Sequence, residues 1–245
     1  MTCLPLAAGT PLRITLAMHE YPPLAGQKLP HGGVLTQIVS ESFAKSDVAV
    51  RVTWVPNNRA IVGVMEGLYD GSYGWAHTLE RDAALAYSRN AICTLRMVFF
   101  CRRGEEHLWS TLEDLASCRI GTTMGNFYSD EFARLQSDGR LRVDEAPADA
   151  FNLKKLAAGR IDLFPMEQEA GQTLARTVLS PREQARITFD DHPISEVATY
   201  VVISRHRPNA EELAARFDDG FRVLTKSGRI QAILREARQG KPGAP

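Results

Sequence analysis

Short runs of alternating or uniformly apolar residues recur along the chain and predict the strands of an α/β protein. Residues 12–17 read LRITLA and residues 48–55 read VAVRVTWV, and both runs alternate between apolar and polar positions. Two longer runs, at 95–102 and 196–204, are strongly apolar. The full set of predicted strands is 12–17, 48–55, 69–75, 95–102, 119–123, 141–145, 161–166, 187–190 and 196–204.

Between these runs, apolar residues repeat at helical spacing, as in residues 34–45 with Leu35, Ile38 and Val39 on one face. The predicted helices are 34–45, 59–67, 129–135, 148–158, 168–178, 210–224 and 228–237, with a short one at 110–115. The order β-α-β-α-β followed by a long strand occurs twice, which predicts a sheet with helical crossovers. The two long apolar strands are the natural crossing segments between two lobes.

Two predicted helix starts carry further signals. Ser110 and Glu113 have the spacing of a capping box before the short helix. After the strand at 119–123, Gly125 makes a turn into the helix at 129–135. A strand, a glycine turn and a helix start favour an anion-binding site, because unpaired amide groups and the helix dipole point there.

Composition narrows the class of protein. The 245 residues suffice for one large domain or two ordinary ones, and 44% hydrophobic content supports a real core. Lys and Arg together number 29, as do Asp and Glu, so no broad field attracts nucleic acid or an anionic membrane. No basic run is interleaved with aromatic residues, and no apolar stretch approaches the length of a membrane span.

The cysteines and the first residues bear on the cell compartment. Residues 1–9 are small and apolar, either as the end of a secretory leader or as an ordinary frayed terminus; of the two we expect a trimmed signal peptide and a periplasmic protein. Cys3 lies in that segment. The remaining Cys93, Cys101 and Cys118 have no metal-binding spacing; they fit buried thiols or one disulfide. We expect no metal site and no cofactor.

The stretch 70–88, DGSYGWAHTLERDAALAYS, holds the candidate chemistry. Arg81 offers a planar fork of donors that matches a carboxylate. Thr78 could add a hydroxyl to the same ligand, and Trp75 could supply an apolar wall. The plainer interpretation is that Thr78 caps a helix and Arg81 is a solvated charge, because this spacing alone is a weak pattern.

From about residue 12 to residue 234, the chain resembles a type II periplasmic solute-binding protein, in the family of polar amino-acid receptors of ABC importers. Each motif is weak alone, but their order and spacing together are specific. The resemblance is carried by Tyr21-Pro22-Pro23, P-N-N-R-A at 56–60, G-L-Y-D-G at 67–71, T-L-E-R at 78–81, S-T-L-E-D-L at 110–115, R-I-G-T-T-M-G at 119–125, L-A-A-G-R-I-D at 156–162 and the segment 217–228.

The resemblance implies two α/β lobes that close on a solute. Lobe 1 would comprise residues 10–100 and 198–245, and lobe 2 residues 101–197. By resemblance, Arg81 binds the carboxylate of the ligand, and Glu167 holds its α-amino group. The other implied ligand-binding residues are Thr78 beside Arg81, Tyr21 and Trp75 as walls of lobe 1, and Gly125, Asn126, Phe127 and Tyr128 in lobe 2.

Three departures from the amino-acid receptor pattern favour a different or larger ligand. Residues 75–77 read Trp-Ala-His where small or hydroxyl residues are usual, and Asn126-Phe127-Tyr128 is bulkier than the common loop. Glu167 is one methylene longer than the usual Asp. Without the resemblance, Tyr21 and Trp75 would be core aromatics and Glu167 a surface charge.

The resemblance predicts a monomeric, non-enzymatic binding protein that delivers a carboxylate-bearing solute to the membrane permease of an ABC importer, without nucleic acid. The same fold hosts dehydratases of cyclic carboxylic acids, in which Glu167 would act as a general acid. A freestanding solute-sensing module is the third alternative.

Overall fold

The computed structural model describes residues 11–239 as a mixed α/β protein of two lobes. The expected leader and Cys3 lie outside these residues. The structure has nine strands in the described residues; seven lie at predicted positions, most of them with shifted ends, β4 was not predicted, and β9 spans two predicted strands. The strands are β1 (Leu12–Met18), β2 (Val48–Trp54), β3 (Gly71–Trp75), β4 (Leu85–Tyr87), β5 (Cys93–Arg102), β6 (Arg119–Thr123), β7 (Arg142–Ala146), β8 (Leu163–Glu167) and β9 (Ile187–Ser204).

The predicted long helices are also present, and α3 is the helix that the plainer interpretation of Thr78 implied, while the short α7 was not predicted. The helices are α1 (Val34–Ala44), α2 (Asn57–Met65), α3 (Leu79–Ala84), α4 (Asp130–Ser137), α5 (Asp149–Ala157), α6 (Gln168–Val178), α7 (Pro181–Gln184), α8 (Ala210–Lys226) and α9 (Arg229–Gln239). Short 3-10 turns cover Pro30–Gly32 and Leu112–Leu115.

The strands form one sheet in the order β2-β1-β3-β9-β5-β8-β6-β7, with β4 paired to β9. In lobe 1, β2, β1 and β3 are parallel and the end of β9 runs antiparallel beside β3. In lobe 2, β7, β6 and β8 are parallel and β5 runs antiparallel beside β8. Each lobe therefore repeats the same arrangement, as the order of elements along the chain predicted.

The two predicted strands at 187–190 and 196–204 are wrong as separate elements, because they form the single 18-residue strand β9. Residues 191–195 lie between them, and three of these, Asp191 to Pro193, are exposed, so the sequence shows no apolar strand pattern there. Pairing with β5 nevertheless continues across it, with two register irregularities. Through Thr199, β9 pairs with β5, and from Tyr200 to Ser204 it pairs with β3 and β4, so β9 crosses from one lobe to the other.

The capping box before the 3-10 turn is shifted by one residue from the prediction. Thr111 is the N-cap, and its partner is Asp114 rather than Glu113. Both Ser110 and Thr111 donate their backbone N–H groups to the Asp114 carboxylate, at 2.9 and 2.8 Å. The 3-10 turn places the Asp114 carboxylate next to the backbone N–H groups at the start of the turn, which have no partner within it.

Each lobe has its own apolar core on the two faces of the sheet. In lobe 1, α1 and α8 pack on one face with Phe43 and Phe217 in contact, and α2 covers the other. In lobe 2, α5 and α6 cover one face and α4 the other. Within residues 11–239, Cys93, Cys101 and Cys118 are free thiols, so the disulfide considered among them is not formed.

Candidate functional site

The site lies where the carboxyl ends of the parallel strands of both lobes meet, the place where α/β sheets bind ligands. Two adjoining cavities occupy this cleft. The inner cavity, against β5 and β9, encloses about 50 Å³, and the outer cavity encloses about 410 Å³. Both are lined by His19, Tyr21 and Asn57, which follow β1 and β2.

Arg81 is the charged residue of the inner cavity. It sits at the third position of α3, and its side chain is 7% exposed. The guanidinium donates to the carbonyl oxygen of Ala76 at 3.0 Å and to that of Gly125 at 2.7 Å, and it lies 5.1 Å from the ring centre of Trp75. Burial lowers the pKa of Arg81 from its usual value, although an arginine remains charged at neutral pH.

Within residues 11–239, no carboxylate forms an ion pair with Arg81. Two of its five N–H donors are used by the two carbonyl groups, which leaves three for a ligand. A buried charge without a counterion is costly. The inner cavity is therefore suited electrostatically to an anion.

Hydrogen bonds across the cleft hold the lobes together. The side-chain amide of Asn57, at the start of α2, donates to the carbonyl oxygen of Met124 at 2.7 Å and to Asn126 Oδ1 at 2.9 Å. Gly125 has a φ of +80°, and a Cβ there would lie 3.0 Å from Asn58 Oδ1 and 3.2 Å from Asn58 Cα. The turn after β6 thus needs glycine both for its backbone conformation and for the close approach of lobe 1.

Asp149 is the main acidic residue of the outer cavity. It is the first residue of α5, and its Oδ1 accepts hydrogen bonds from Thr123 Oγ1 at 2.6 Å and Asn126 Nδ2 at 3.3 Å. Burial raises the pKa of the Asp149 carboxyl, since its enclosure outweighs the effect of the two hydrogen bonds. The side chain of Asn126 therefore accepts a hydrogen bond from Asn57 across the cleft and donates one to the Asp149 carboxylate.

His19 and Asn57 also present polar atoms that lack partners. The His19 Nδ1 and Asn57 Oδ1 atoms are fully enclosed and make no hydrogen bond in the described part of the chain. Burial lowers the pKa of His19 to about 4, although the residue as a whole is half-buried. His19 is therefore neutral at pH 7 and packs edge-on against Tyr21. Buried polar atoms of this kind ordinarily bind water or a ligand.

The structure brings six of the nine predicted ligand-binding residues to the wall of the inner cavity. They are Tyr21, Trp75, Arg81, Gly125, Asn126 and Phe127. Thr78 instead caps α3, accepting the backbone N–H of Arg81 at 3.2 Å, which is the plainer of its two interpretations. Tyr128 is buried in the core of lobe 2, where its hydroxyl accepts the Thr123 N–H at 2.9 Å.

Glu167 lines neither cavity. It ends β8 and caps α6, where one carboxylate oxygen accepts the backbone N–H of Ala170 at 2.7 Å. Burial raises its pKa, while the hydrogen bonds from the helix amides oppose that shift. The group expected to hold an α-amino group is thus already engaged in capping a helix.

Sequence reasoning did not select Asn57, Asp149 or His19 as site residues. Asn57 reads as a turn residue before a helix, and His19 as structural or surface. Asp149 follows the predicted strand at 141–145, and ligands of α/β sheets bind at the carboxyl ends of parallel strands, so its position was compatible with a site. Many acidic residues share that description, and only the tertiary contact with Asn126 distinguishes this one.

Two further searches of the described residues bear on other classes of protein. No helix within 11–239 is long and apolar enough to cross a membrane. In the same range, no three His, Cys, Asp or Glu side chains cluster closely enough to hold a metal ion.

Comparison with solved structures identifies the fold. The chain resembles a histidine kinase sensor domain with similarity to periplasmic binding proteins (TM-score 0.75, 18% identity, 93% of this chain and 96% of that one). It also resembles the amino-acid ABC transporter substrate-binding protein AbpA of Streptococcus pneumoniae bound to L-arginine (TM-score 0.73, 15% identity, 93% and 94%). A third match is the GluR0 ligand-binding core of Nostoc punctiforme with L-glutamate (TM-score 0.72, 14% identity, 91% and 98%).

No family model and no curated protein matches the sequence. The structural matches span nearly the whole chain at low identity, so they establish the architecture. This chain has the two-lobe fold of periplasmic binding proteins, with β5 and β9 as the two crossing segments.

Proposed function

We propose that this protein binds a small carboxylate-bearing solute, an amino acid or a derivative of one, in the cleft between its lobes. One observation carries the proposal: Arg81 is buried in a cavity between the lobes and pairs with no acidic side chain of residues 11–239. A carboxylate that reached the free donors of Arg81 would supply the missing countercharge and form charge-assisted hydrogen bonds.

The neighbouring side chains support the same role. Trp75 is fixed by a hydrogen bond from its Nε1 to Ser72 Oγ at 2.6 Å and walls the inner cavity with Phe127. A solute in this cavity touches Arg81 from lobe 1 and the turn Gly125–Asn126 from lobe 2. Such a ligand has its full affinity only for the closed form, so it shifts the population of conformers toward closure.

We extend the proposal to delivery of the solute to the permease of an ABC importer from the periplasm, as a monomer. Solved proteins of this fold include substrate-binding proteins of amino-acid ABC transporters, which supports this role. The sensor domain among the matches shows that the fold also serves signalling, and binding of the solute is common to both uses. We propose lobe boundaries at residues 10–100 with 198–245, and 101–197.

The dehydratase alternative has no support from the site. A general acid must reach the reacting group of the substrate. Glu167 lines neither cavity and caps α6.

A thermal-shift screen of the purified protein against amino acids, opines, short carboxylates and polyamines tests the proposal. A carboxylate present at 100 times its dissociation constant is expected to stabilise the protein by about 2.7 kcal/mol. Stabilisation by polyamines alone, with none by any carboxylate, would contradict a site centred on Arg81.

A further inference from the structure

The two cavities of the cleft carry opposite charges. Among the residues of 11–239 that line the inner cavity, Arg81 is the only one charged at neutral pH. In the described part of the chain, the outer cavity is lined by two carboxylates, Asp149 and Glu20, and by no lysine or arginine. His19 lies between them and is neutral, since burial lowers its pKa to about 4.

The carboxylate of Asp149 is positioned for a donor from outside the protein. Its Oδ1 atom accepts from Thr123 and Asn126, while its Oδ2 atom has no hydrogen bond and no ion pair among residues 11–239. The aromatic residues Tyr21 and Trp54 wall the same cavity. Aromatic faces beside a carboxylate favour an organic cation.

The two cavities adjoin each other and share polar lining residues. The enclosed, unpartnered atoms His19 Nδ1 and Asn57 Oδ1 belong to residues that line both of them. Arg81 binds the carbonyl group of Gly125, and Asp149 binds the side chain of the next residue, Asn126. The cation and the carboxylate of the protein therefore flank two consecutive residues, whose Cα atoms are about 3.8 Å apart.

The inner cavity offers little for an α-amino group. No acidic residue lines it, and Glu167 is engaged at the start of α6. A ligand whose only cationic group stands next to its carboxylate would leave Asp149 without a partner.

We propose that the cleft selects carboxylic acids with a distal guanidinium or ammonium group, the carboxylate on Arg81 and the distal cation on Asp149, and that an α-amino group adds little. This inference rests on the proposed function and specifies its substrate class. Arg81 fixes one end of such a ligand, and the free oxygen of Asp149 fixes the other.

Titration calorimetry of the wild-type protein with three probes tests the inference. L-Arginine carries all three groups, 5-guanidinopentanoic acid lacks the α-amino group, and L-norvaline lacks the guanidinium. We expect 5-guanidinopentanoic acid to bind within about tenfold of L-arginine, and L-norvaline to bind at least about tenfold more weakly, as expected on losing a hydrogen-bonded charge. Equal affinities of L-arginine and L-norvaline would overturn the inference but leave a carboxylate site on Arg81 in place.

If 5-guanidinopentanoic acid bound more than a hundredfold more weakly than L-arginine, the claim that an α-amino group adds little would be overturned. Failure of all three carboxylates to bind would overturn the inference, whereas stabilisation by another carboxylate in the thermal-shift screen would leave the proposed function in place.

The variant Asp149→Asn adds a second readout, the ratio of L-arginine affinity to L-norvaline affinity. We expect this ratio to fall at least about tenfold in Asp149→Asn, because the isosteric amide removes the charge that faces the distal cation. Asp144→Asn, at an exposed carboxylate of β7 in the same lobe, is the matched control and is expected to keep the wild-type ratio. An unchanged ratio in a folded Asp149→Asn protein would contradict the role of Asp149.

Discussion

At the scale of single residues, two adjacent asparagines have different roles. Asn57 is buried and donates across the cleft to Met124 and Asn126, whereas Asn58 is exposed and has no such hydrogen bond. The side chain of the first residue of α2 therefore links the two lobes by hydrogen bonds, and the side chain of the second does not.

Asn57→Ala is expected to weaken binding of a cleft ligand by about tenfold, because two hydrogen bonds across the cleft are worth about 1–2 kcal/mol net. Calorimetry measures the affinity, and small-angle scattering measures whether the radius of gyration of the unliganded protein increases. Asn58→Ala is the control, with little expected change in either. Equal effects of the two variants would contradict a closing role for Asn57.

The sequence predicted these site residues unevenly, for physical reasons. Arg81 and Trp75 could be proposed because charge and aromatic character mark them next to a strand end. Asn57 and Asp149 could not, since their roles depend on contacts with Asn126, a residue far along the chain. Glu167 has the expected position at the end of β8, but its side chain found a local partner in the helix amides instead.

At the scale of elements, Asp162 links the ends of three strands in lobe 2. It lies just before β8 and accepts hydrogen bonds from Arg119 of β6, at 2.6 Å from Nη2, and from Arg102 of β5, at 3.3 Å. The pKa of the Asp162 carboxyl lies well below its usual range. The main cause is the hydrogen bond from Arg119, and Arg102 adds to it. The carboxylate is thus stabilised in the folded protein relative to the unfolded chain.

Asp162→Asn is expected to lower the free energy of unfolding by about 2 kcal/mol at pH 7, as for loss of hydrogen bonds to charged groups. Since the folded pKa lies below the unfolded value of about 3.9, this stabilisation is complete above that pH and is lost as the pH falls further. Urea denaturation at a series of pH values measures the difference from wild type, which should narrow below about pH 4. Asp144→Asn, at an exposed ion pair with Lys155, is expected to change stability little.

A difference between wild type and Asp162→Asn that stayed constant from pH 7 to pH 3 would contradict this assignment. So would a variant as stable as the wild type at pH 7.

The elements themselves were predictable where periodicity was strong. The strand predicted at 119–123 matches β6. Its β-branched residues favour a strand, and the glycine at 125 marks a turn after it. The strand β4 was missed because three residues show no period, and only pairing with β9 makes them a strand. The continuity of β9 is also a property of the sheet, since β5 supplies the partner for its polar middle.

At the scale of the whole molecule, the two lobes share one sheet through β5 and β9, and the proposed ligand site is the cleft between them. The cleft is closed by contacts from Arg81 and Asn57 to the turn after β6. A ligand carboxylate therefore competes with or joins the carbonyl group of Gly125 for the donors of Arg81. Under the proposed function, solute binding and lobe closure would be coupled, because the guanidinium that contacts Gly125 would also bind the ligand.

A double-mutant cycle by calorimetry tests this central role of Arg81 most directly. It compares the tightest-binding carboxylic acid from the screen with its primary amide, on the wild-type protein and on Arg81→Ala. Arg182→Ala, at an exposed arginine of α7, is the control for loss of one positive charge. We predict that the wild type and Arg182→Ala prefer the acid by about 2–5 kcal/mol and that Arg81→Ala loses this preference. A folded Arg81→Ala protein that binds the acid within about tenfold of wild type, with its preference over the amide intact, would contradict the account.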